Sequence, residues 1–267
     1  MADKIDSYSV TYAAAAGELS AEIRREAFGE DIGQNSWTTA GEQLDFARKA
    51  GLTADSHLIE LGCGSGGPAL FLARSIGLEI TGIDINEAGI AAANQAARAG
   101  GLDARARFIA TDAGAALPFA DASFDAAQIT DAINHIPDRP ALFGELHRLL
   151  RPGGRLLFTD PVVITGAVTS EELALRSSIG FFVFVPAGEN ERMLGQAGFV
   201  VKSVDNATAN VVATSRGRLE ARERRRAALI ELEGQEIYEG FQKFLRAVHA
   251  LSSSGRLSRF VFLAERR

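Results

Sequence analysis

A short apolar run breaks into glycines at His57-Leu58-Ile59-Glu60-Leu61-Gly62-Cys63-Gly64-Ser65-Gly66-Gly67, and the helix-compatible Pro68-Ala69-Leu70-Phe71-Leu72-Ala73-Arg74 follows at once. This order predicts a strand, a tight turn and a helix. Gly62, Gly64 and Gly66 reach backbone angles closed to other residues and let a ligand lie against bare main chain, and Pro68 is tolerated in a first helical turn, where its missing N–H costs little. The next strand candidate, Leu78-Glu79-Ile80-Thr81-Gly82-Ile83-Asp84, ends in an acid about twenty residues after the first glycine, where nucleotide-binding βαβ units place a carboxylate on ribose hydroxyls. Asp84 is the candidate ribose ligand. Gly62, Gly64 and Gly67 also satisfy a dinucleotide spacing, so the turn alone leaves a nicotinamide or flavin ligand open.

Strand and helix patterns then alternate: strand 57–61, helix 68–76, strand 78–84, helix 86–99, strands 105–111 and 124–130, helix 138–150 and strand 154–160. Such alternation predicts a parallel sheet with helices on both faces. Asp112 stands at a strand's carboxyl end, where an open sheet binds its ligand, and is assigned to the adenine beside Asp84. Residues 2–28 read as one or two helices interrupted near Gly17. The segment from Gly29 to Thr39 holds too many turn formers to continue a helix, and Thr38 or Thr39 can cap the helix at 40–50. The apolar Ile179-Gly180-Phe181-Phe182-Val183-Phe184-Val185-Pro186 is either core or a lid over the site. A helix at 188–196, a strand at 199–206, a long helical segment at 216–251 and a last strand at 258–264 complete the chain. Arg216, Arg218, Arg222, Arg224, Arg225 and Arg226, interspersed with Glu220 and Glu223, predict a solvated, salt-bridged helix face.

The formal charge of −6 gives a phosphate backbone little to bind, so nucleic acid is not expected. Cys63 is the only cysteine, which removes intramolecular disulfides and any cysteine-pair zinc site and fits a reducing, cytoplasmic setting. The first residues lack the pattern of a secretory signal, and no apolar run is long enough to cross a bilayer. A monomer or homodimer, with no metal and no membrane partner, is expected.

Glu60-Leu61-Gly62-Cys63-Gly64-Ser65-Gly66, Gly82-Ile83-Asp84, Asp112-Ala113, Leu117-Pro118-Phe119, Phe124-Asp125 and Leu150-Arg151-Pro152-Gly153-Gly154-Arg155 resemble the class I S-adenosylmethionine-dependent methyltransferases in order and spacing. The acid at Glu60, together with the Arg-Pro-Gly-Gly turn, separates the chain from nicotinamide enzymes. The resemblance implies an α/β fold: a Rossmann-like seven-stranded, mostly parallel sheet with an antiparallel last strand, N-terminal helices and inserted cap helices. It divides the chain into an N-terminal helical lid (1–50), a donor-binding core (51–160), a cap insertion (161–198) and the last two strands with a helical insertion (199–267). Within the family, Asp131-Ala132-Ile133-Asn134-His135 is similar to a motif of the phosphoethanolamine and the sarcosine/dimethylglycine N-methyltransferases. Sugar O-methyltransferases are also similar around Ile136-Pro137-Asp138-Arg139 and Asp160.

The resemblance implies S-adenosyl-L-methionine as cofactor. It puts Trp37 and Thr38 on that cofactor, Glu60, Gly62, Gly64 and Gly66 at its methionine portion, Asp84 and Ile85 on ribose and adenine, and Asp112 with Ala113 on the adenine edge. Thr130 falls at a cofactor-contact position that is arginine in the phosphoethanolamine enzymes, and Tyr12, with Tyr8 in reserve, is the candidate to cover the methyl donor. Methyl transfer from a sulfonium is a direct displacement, so holding the acceptor in line supplies most of the acceleration, up to roughly 7–11 kcal/mol. A general base adds about 10² to 10⁴ when the acceptor arrives protonated. His135 is the candidate base, because imidazole titrates near neutrality, with Asp131 four residues earlier to orient it or attract an amine and Asp160 at a strand end nearby. His57, His147 and His249 have no such context. The expected function is methylation of a small molecule, at an amine nitrogen first and at a natural-product or sugar hydroxyl as the alternative. A cofactor-binding protein without turnover is the second alternative, which the Asp131 and His135 pair argues against.

Overall fold

The computed structural model describes residues 17–267, and in it the glycine turn joins a strand to a helix as its sequence predicts. Strand β1 (His57–Leu61) leads through the turn into α3 (Gly67–Ile76), after α1 (Glu18–Phe28) and α2 (Ala40–Lys49). There follow β2 (Glu79–Asp84), α4 (Glu87–Ala99), β3 (Ala106–Ala110), β4 (Phe124–Ile129), a 3-10 turn (Ile133–His135), α5 (Arg139–Leu149) and β5 (Leu150–Ile164). The chain continues through α6 (Ser170–Arg176), β6 (Val185–Pro186), α7 (Glu189–Gln196) and β7 (Phe199–Asn206). Helices α8 (Thr208–Arg224), α9 (Arg226–Glu233) and α10 (Gln235–Ser253) precede β8 (Leu257–Arg266).

The helix starts follow their capping residues. Thr39 Oγ1 accepts from the Glu42 N–H, Asn86 Oδ1 from Gly89 and Asp138 Oδ1 from Ala141, each satisfying an N–H that has no partner inside its helix. Thr169 and Glu172 close a reciprocal capping box on α6.

The strands order as β3-β2-β1-β4-β5-β8-β7, all parallel except β8, which runs antiparallel to both neighbours. This is the expected Rossmann-like methyltransferase sheet, with one addition: the two-residue β6 pairs with the far end of β5. Alternate residues of the same strands divide between two cores, Leu58, Ile80 and Ala126 packing under α3 and α4, and Ile59, Leu61 and Ile129 under α5 and α7. Chain order reverses between β1 and β4, which opens a crevice outside their carboxyl ends.

Three elements differ from the sequence expectation. The Arg151-Pro152-Gly153-Gly154 turn lies inside β5 as a bulge, since Phe124 pairs with Leu150 and Ala126 with Arg155. Gly153, at φ +77, makes that excursion. The long helical segment is three helices, interrupted at Arg225 and at Gly234, whose φ of +85 ends α9. The arginine-rich face is in part an interface: Arg224 and Arg225 bridge to Glu26 and Glu22 of α1, and Arg222 is buried against Glu233, Tyr238 and Phe241. Together α1, α8, α9 and α10 form a helical layer, with Ile23, Ala221, Leu229 and Tyr238 in its centre. Among the described residues no helix is long and apolar enough to cross a membrane.

Candidate active site

Glu60 sits on β1 between Gly82 and Gln128, almost fully buried, and Oε2 has no hydrogen-bond partner although the residue borders a cavity of about 730 Å³. Burial pushes its carboxyl up to about 8, and the neighbouring Asp84 adds to the effect. The turn beyond is tightly built. Gly62 has φ +69, and a Cβ there would lie 2.5 Å from the Ala132 Cβ. The Gly64 N–H donates to Asp84 Oδ2 (2.8 Å) and the Asn86 N–H to Oδ1 (2.9 Å), so Asp84 braces the turn with one lone pair of each oxygen and keeps the others for a ligand. Ile85, 73% exposed, Asp112 and Ala113 continue the same wall. The loop before α2 closes on this turn, Gly33 lying against Gly67 so that a Cβ on it would stand 3.1 Å from the Gly67 Cα.

The other half of the cavity is built around Asp131, which holds the left-handed φ of +55 at the end of β4. Its Oδ1 accepts from Arg259 Nε (2.7 Å) and Thr159 Oγ1 (2.7 Å), and its Oδ2 from the Trp37 N–H (2.9 Å) and Arg259 Nη2 (3.2 Å). Arg259, wholly buried, also reaches Glu42 at 2.8 Å. This network ties β4, β8, α2 and the Trp37 loop together and consumes the Asp131 carboxylate.

His135 lies on the 3-10 turn, with Nδ1 2.8 Å from the Phe181 carbonyl. A carbonyl only accepts, so Nδ1 carries the proton, and Nε2 accepts from Asn134 Nδ2 at 3.2 Å. The ring meets Phe182 edge to face at 4.7 Å. Burial draws the imidazole below its ordinary titration range, the Arg176 charge acts the same way, and the Phe181 bond opposes them. Arg176 is stacked on Phe182 and Phe244, and Arg218 on Trp37 and Phe241; all of these side chains border the cavity.

The structure thus brings Trp37, Glu60, Gly62, Gly64, Asp84, Ile85, Asp112, Ala113, Thr130, Asp131 and His135 around one cavity. Three other candidates stand behind its wall. Thr38 is fully buried and accepts from Gln43, Gly66 packs against Ala93 and Phe108, and Asp160 is enclosed in an ion pair with Arg139 at 2.6 Å. Tyr12 and Tyr8 lie outside the described residues. Among the described residues there is no cluster of His, Cys, Asp and Glu able to hold a metal ion.

Sequence reasoning passed over Arg176, Arg218, Phe241 and Phe244 at the cavity, and Arg139 and Arg259 behind it. The arginine run pointed to α8, but nothing local singles out Arg218 from its neighbours Arg216, Arg222, Arg224 and Arg225, which pair with glutamates of α8, α9 and α1.

A methyltransferase-domain family model matches residues 59–158. The 27-O-demethylrifamycin SV methyltransferase of Amycolatopsis mediterranei is 31% identical over 198 residues, covering 70% of this chain and 72% of its own length. Phosphoethanolamine N-methyltransferase 3 of Arabidopsis thaliana is 27% identical over 237 residues, 88% of this chain and 48% of its own. The crystal structure of a putative sarcosine dimethylglycine methyltransferase from Galdieria sulphuraria superposes with a TM-score of 0.77 at 21% identity, over 85% of this chain and 83% of that one.

Proposed function

The chain belongs to the class I S-adenosylmethionine-dependent methyltransferases and transfers methyl to a small molecule, and from that premise we propose that it methylates a hydroxyl oxygen of a largely apolar acceptor with His135 as general base. The donor half of the cavity fits S-adenosylmethionine: the orphaned Glu60 Oε2 faces a ligand that brings positive charge, the glycine turn has no room for side chains, and Asp84 retains acceptor capacity for ribose hydroxyls. Glu60 and the Gly62–Gly64 turn would hold its methionine end, Asp84 its ribose, and Ile85, Asp112 and Ala113 its adenine, with Trp37 and Thr130 closing the pocket. When bound, it supplies a methyl group on a sulfonium, open to in-line displacement.

The observation that carries the hydroxyl reading is the commitment of the acceptor-side carboxylates. Asp131 is matched to Arg259 and Asp160 to Arg139 by ion pairs, so neither is spare to hold an ammonium, whereas His135 is a neutral imidazole whose Nε2 accepts a single amide bond, from Asn134 Nδ2, which an acceptor hydroxyl would replace. That nitrogen takes the hydroxyl proton as the oxygen bonds to the methyl carbon. Phe182, Phe241, Phe244 and Trp37 give the acceptor apolar faces, and the rifamycin-type relative, whose name specifies an oxygen, supports the same choice. The amine reading keeps one support, since such aromatic faces also suit methylated ammonium groups.

The test is a screen with methyl-labelled S-adenosylmethionine over size-matched pairs of hydroxylated aromatics and their amino analogues. Label on oxygen supports the proposal; label confined to nitrogen overturns it.

A further inference from the structure

Asp160 is drawn to the site by sequence, yet it is sealed off from the cavity, and its partners explain what it does there. Its Oδ2 accepts from Arg139 Nη1 (2.6 Å) and Asn190 Nδ2 (3.0 Å), and its Oδ1 from the Val162 N–H (3.1 Å). Arg139, 2% exposed at the start of α5, also donates from Nη1 to Asn190 Oδ1 (2.8 Å) and from Nη2 to the Val183 carbonyl (3.0 Å). Val183 is held from its other side too, because its N–H donates to the Asn134 carbonyl at 2.7 Å. Two residues earlier, the Phe181 carbonyl is the acceptor for His135 Nδ1, and Phe182 between them packs on the imidazole.

The segment from Phe181 to Phe184 lies outside helices and strands, so nothing in its own backbone fixes where the Phe181 carbonyl points. We infer that Arg139, held by Asp160 and Asn190, is a positioning residue: by pinning the Val183 carbonyl it aims the Phe181 carbonyl at His135 and so selects, together with the Asn134 amide that donates to Nε2, the imidazole tautomer that leaves Nε2 unprotonated. The inference rests on the proposed role of His135 as base. A carbonyl two residues from a fixed point is displaced easily when that point is released, and the tautomer of a neutral imidazole is set by the bond its other nitrogen makes. Asp160 then acts through Arg139 and through the irregularity in β5 that it braces at the Val162 N–H, without touching the acceptor.

The tautomer is readable without any methyl transfer, by nitrogen NMR of the full-length chain with ¹⁵N-labelled histidine rings, saturated with S-adenosylhomocysteine at alkaline pH; His135→Gln assigns the signal. The native chain is expected to show His135 protonated at Nδ1 alone. Arg139→Gln is expected to lose that signature and give a mixture of both tautomers, Arg139→Lys to restore the native form in part, and the other three histidines to stay unchanged. A native tautomer in folded Arg139→Gln overturns the inference. Should Arg139→Gln not fold, Asn190→Ala decides, a partial shift supporting the inference and an unshifted His135 overturning it. Full turnover by His135→Gln would instead defeat the base assignment and leave the tautomer result standing, so the two failures are distinguishable.

Discussion

Binding of the methyl donor is expected to expel a proton. Glu60 is buried with one oxygen unmatched and titrates at about 8, so in the free protein at pH 7 it is roughly 90% protonated. A donor carrying a sulfonium and an ammonium favours the ionised carboxylate, which amounts to release of about 0.9 proton per site at pH 7 and about 0.01 near pH 10. The sign follows for stability. A carboxyl raised from an ordinary 4.5 to about 8 favours the free folded protein most below the ordinary value, and that contribution is lost as pH rises toward 8, by at most about 1.4 kcal/mol per pH unit. Protection by the donor against thermal unfolding therefore grows across the same window. Calorimetric titration of S-adenosylmethionine at pH 7, in two buffers of different ionisation enthalpy, reads the proton count directly, and Glu60→Gln removes it. Equal apparent enthalpies in the two buffers would refute the reasoning.

His135→Ala is expected to lower kcat by about 10² to 10⁴ while the S-adenosylhomocysteine Kd stays within roughly two-fold, and an unchanged kcat would remove the imidazole from the reaction. Because burial lowers this imidazole, kcat/KM is expected to fall only as pH drops below the ordinary histidine range, where the ring becomes charged; stopped-time assays across pH locate the limb. Asp131→Asn leaves Arg259 buried with only Glu42 as a charge partner, and a loss of roughly 3–5 kcal/mol is expected in urea unfolding, accompanied by altered fluorescence of Trp37, the chain's single tryptophan. Gly62→Ala combines positive-φ strain of about 1–3 kcal/mol with a 2.5 Å approach to Ala132, and donor affinity is expected to fall at least about tenfold. Gly101→Ala, at φ +65 in open space, carries the strain alone and should leave donor affinity untouched.

The glycine-turn wall of the cavity was legible because its determinants are local: Gly62, Gly64 and Asp84 stand within about twenty residues of one another, and Thr39, Asn86 and Asp138 mark helix starts from a few residues of sequence. The acceptor half depends on partners brought from afar. Arg259 meets Asp131 across 128 residues, and Arg139 finds Asp160, Asn190 and Val183 on three separate segments. Nothing near Asp131 or Asp160 signals that each carboxylate is already matched, and the amine expectation rested on the likeness of the stretch from Asp131 to His135 to an N-methyltransferase motif. The ion pairs of Arg225 with Glu22 and Glu26 on α1 are likewise contacts between distant segments that periodicity does not record.

The joint between β7 and β8 has a consequence for how such a chain diversifies. Asn206 pairs with Phe260, and the Ala207 N–H donates to the Arg259 carbonyl at 2.8 Å, so α8, α9 and α10 leave the sheet and re-enter it at the same place. To the sheet this excursion is a closed loop, and the entropy of closing a loop grows by only about 0.6 kcal/mol for each doubling of its length. Helices there can lengthen, shorten or be exchanged as a cassette while the strand register on either side is kept. Arg218, Phe241 and Phe244 travel with the cassette and carry their part of the cavity wall with them, meeting the rest of the site at Trp37, whereas Arg259 stays behind at the joint, still reaching Asp131.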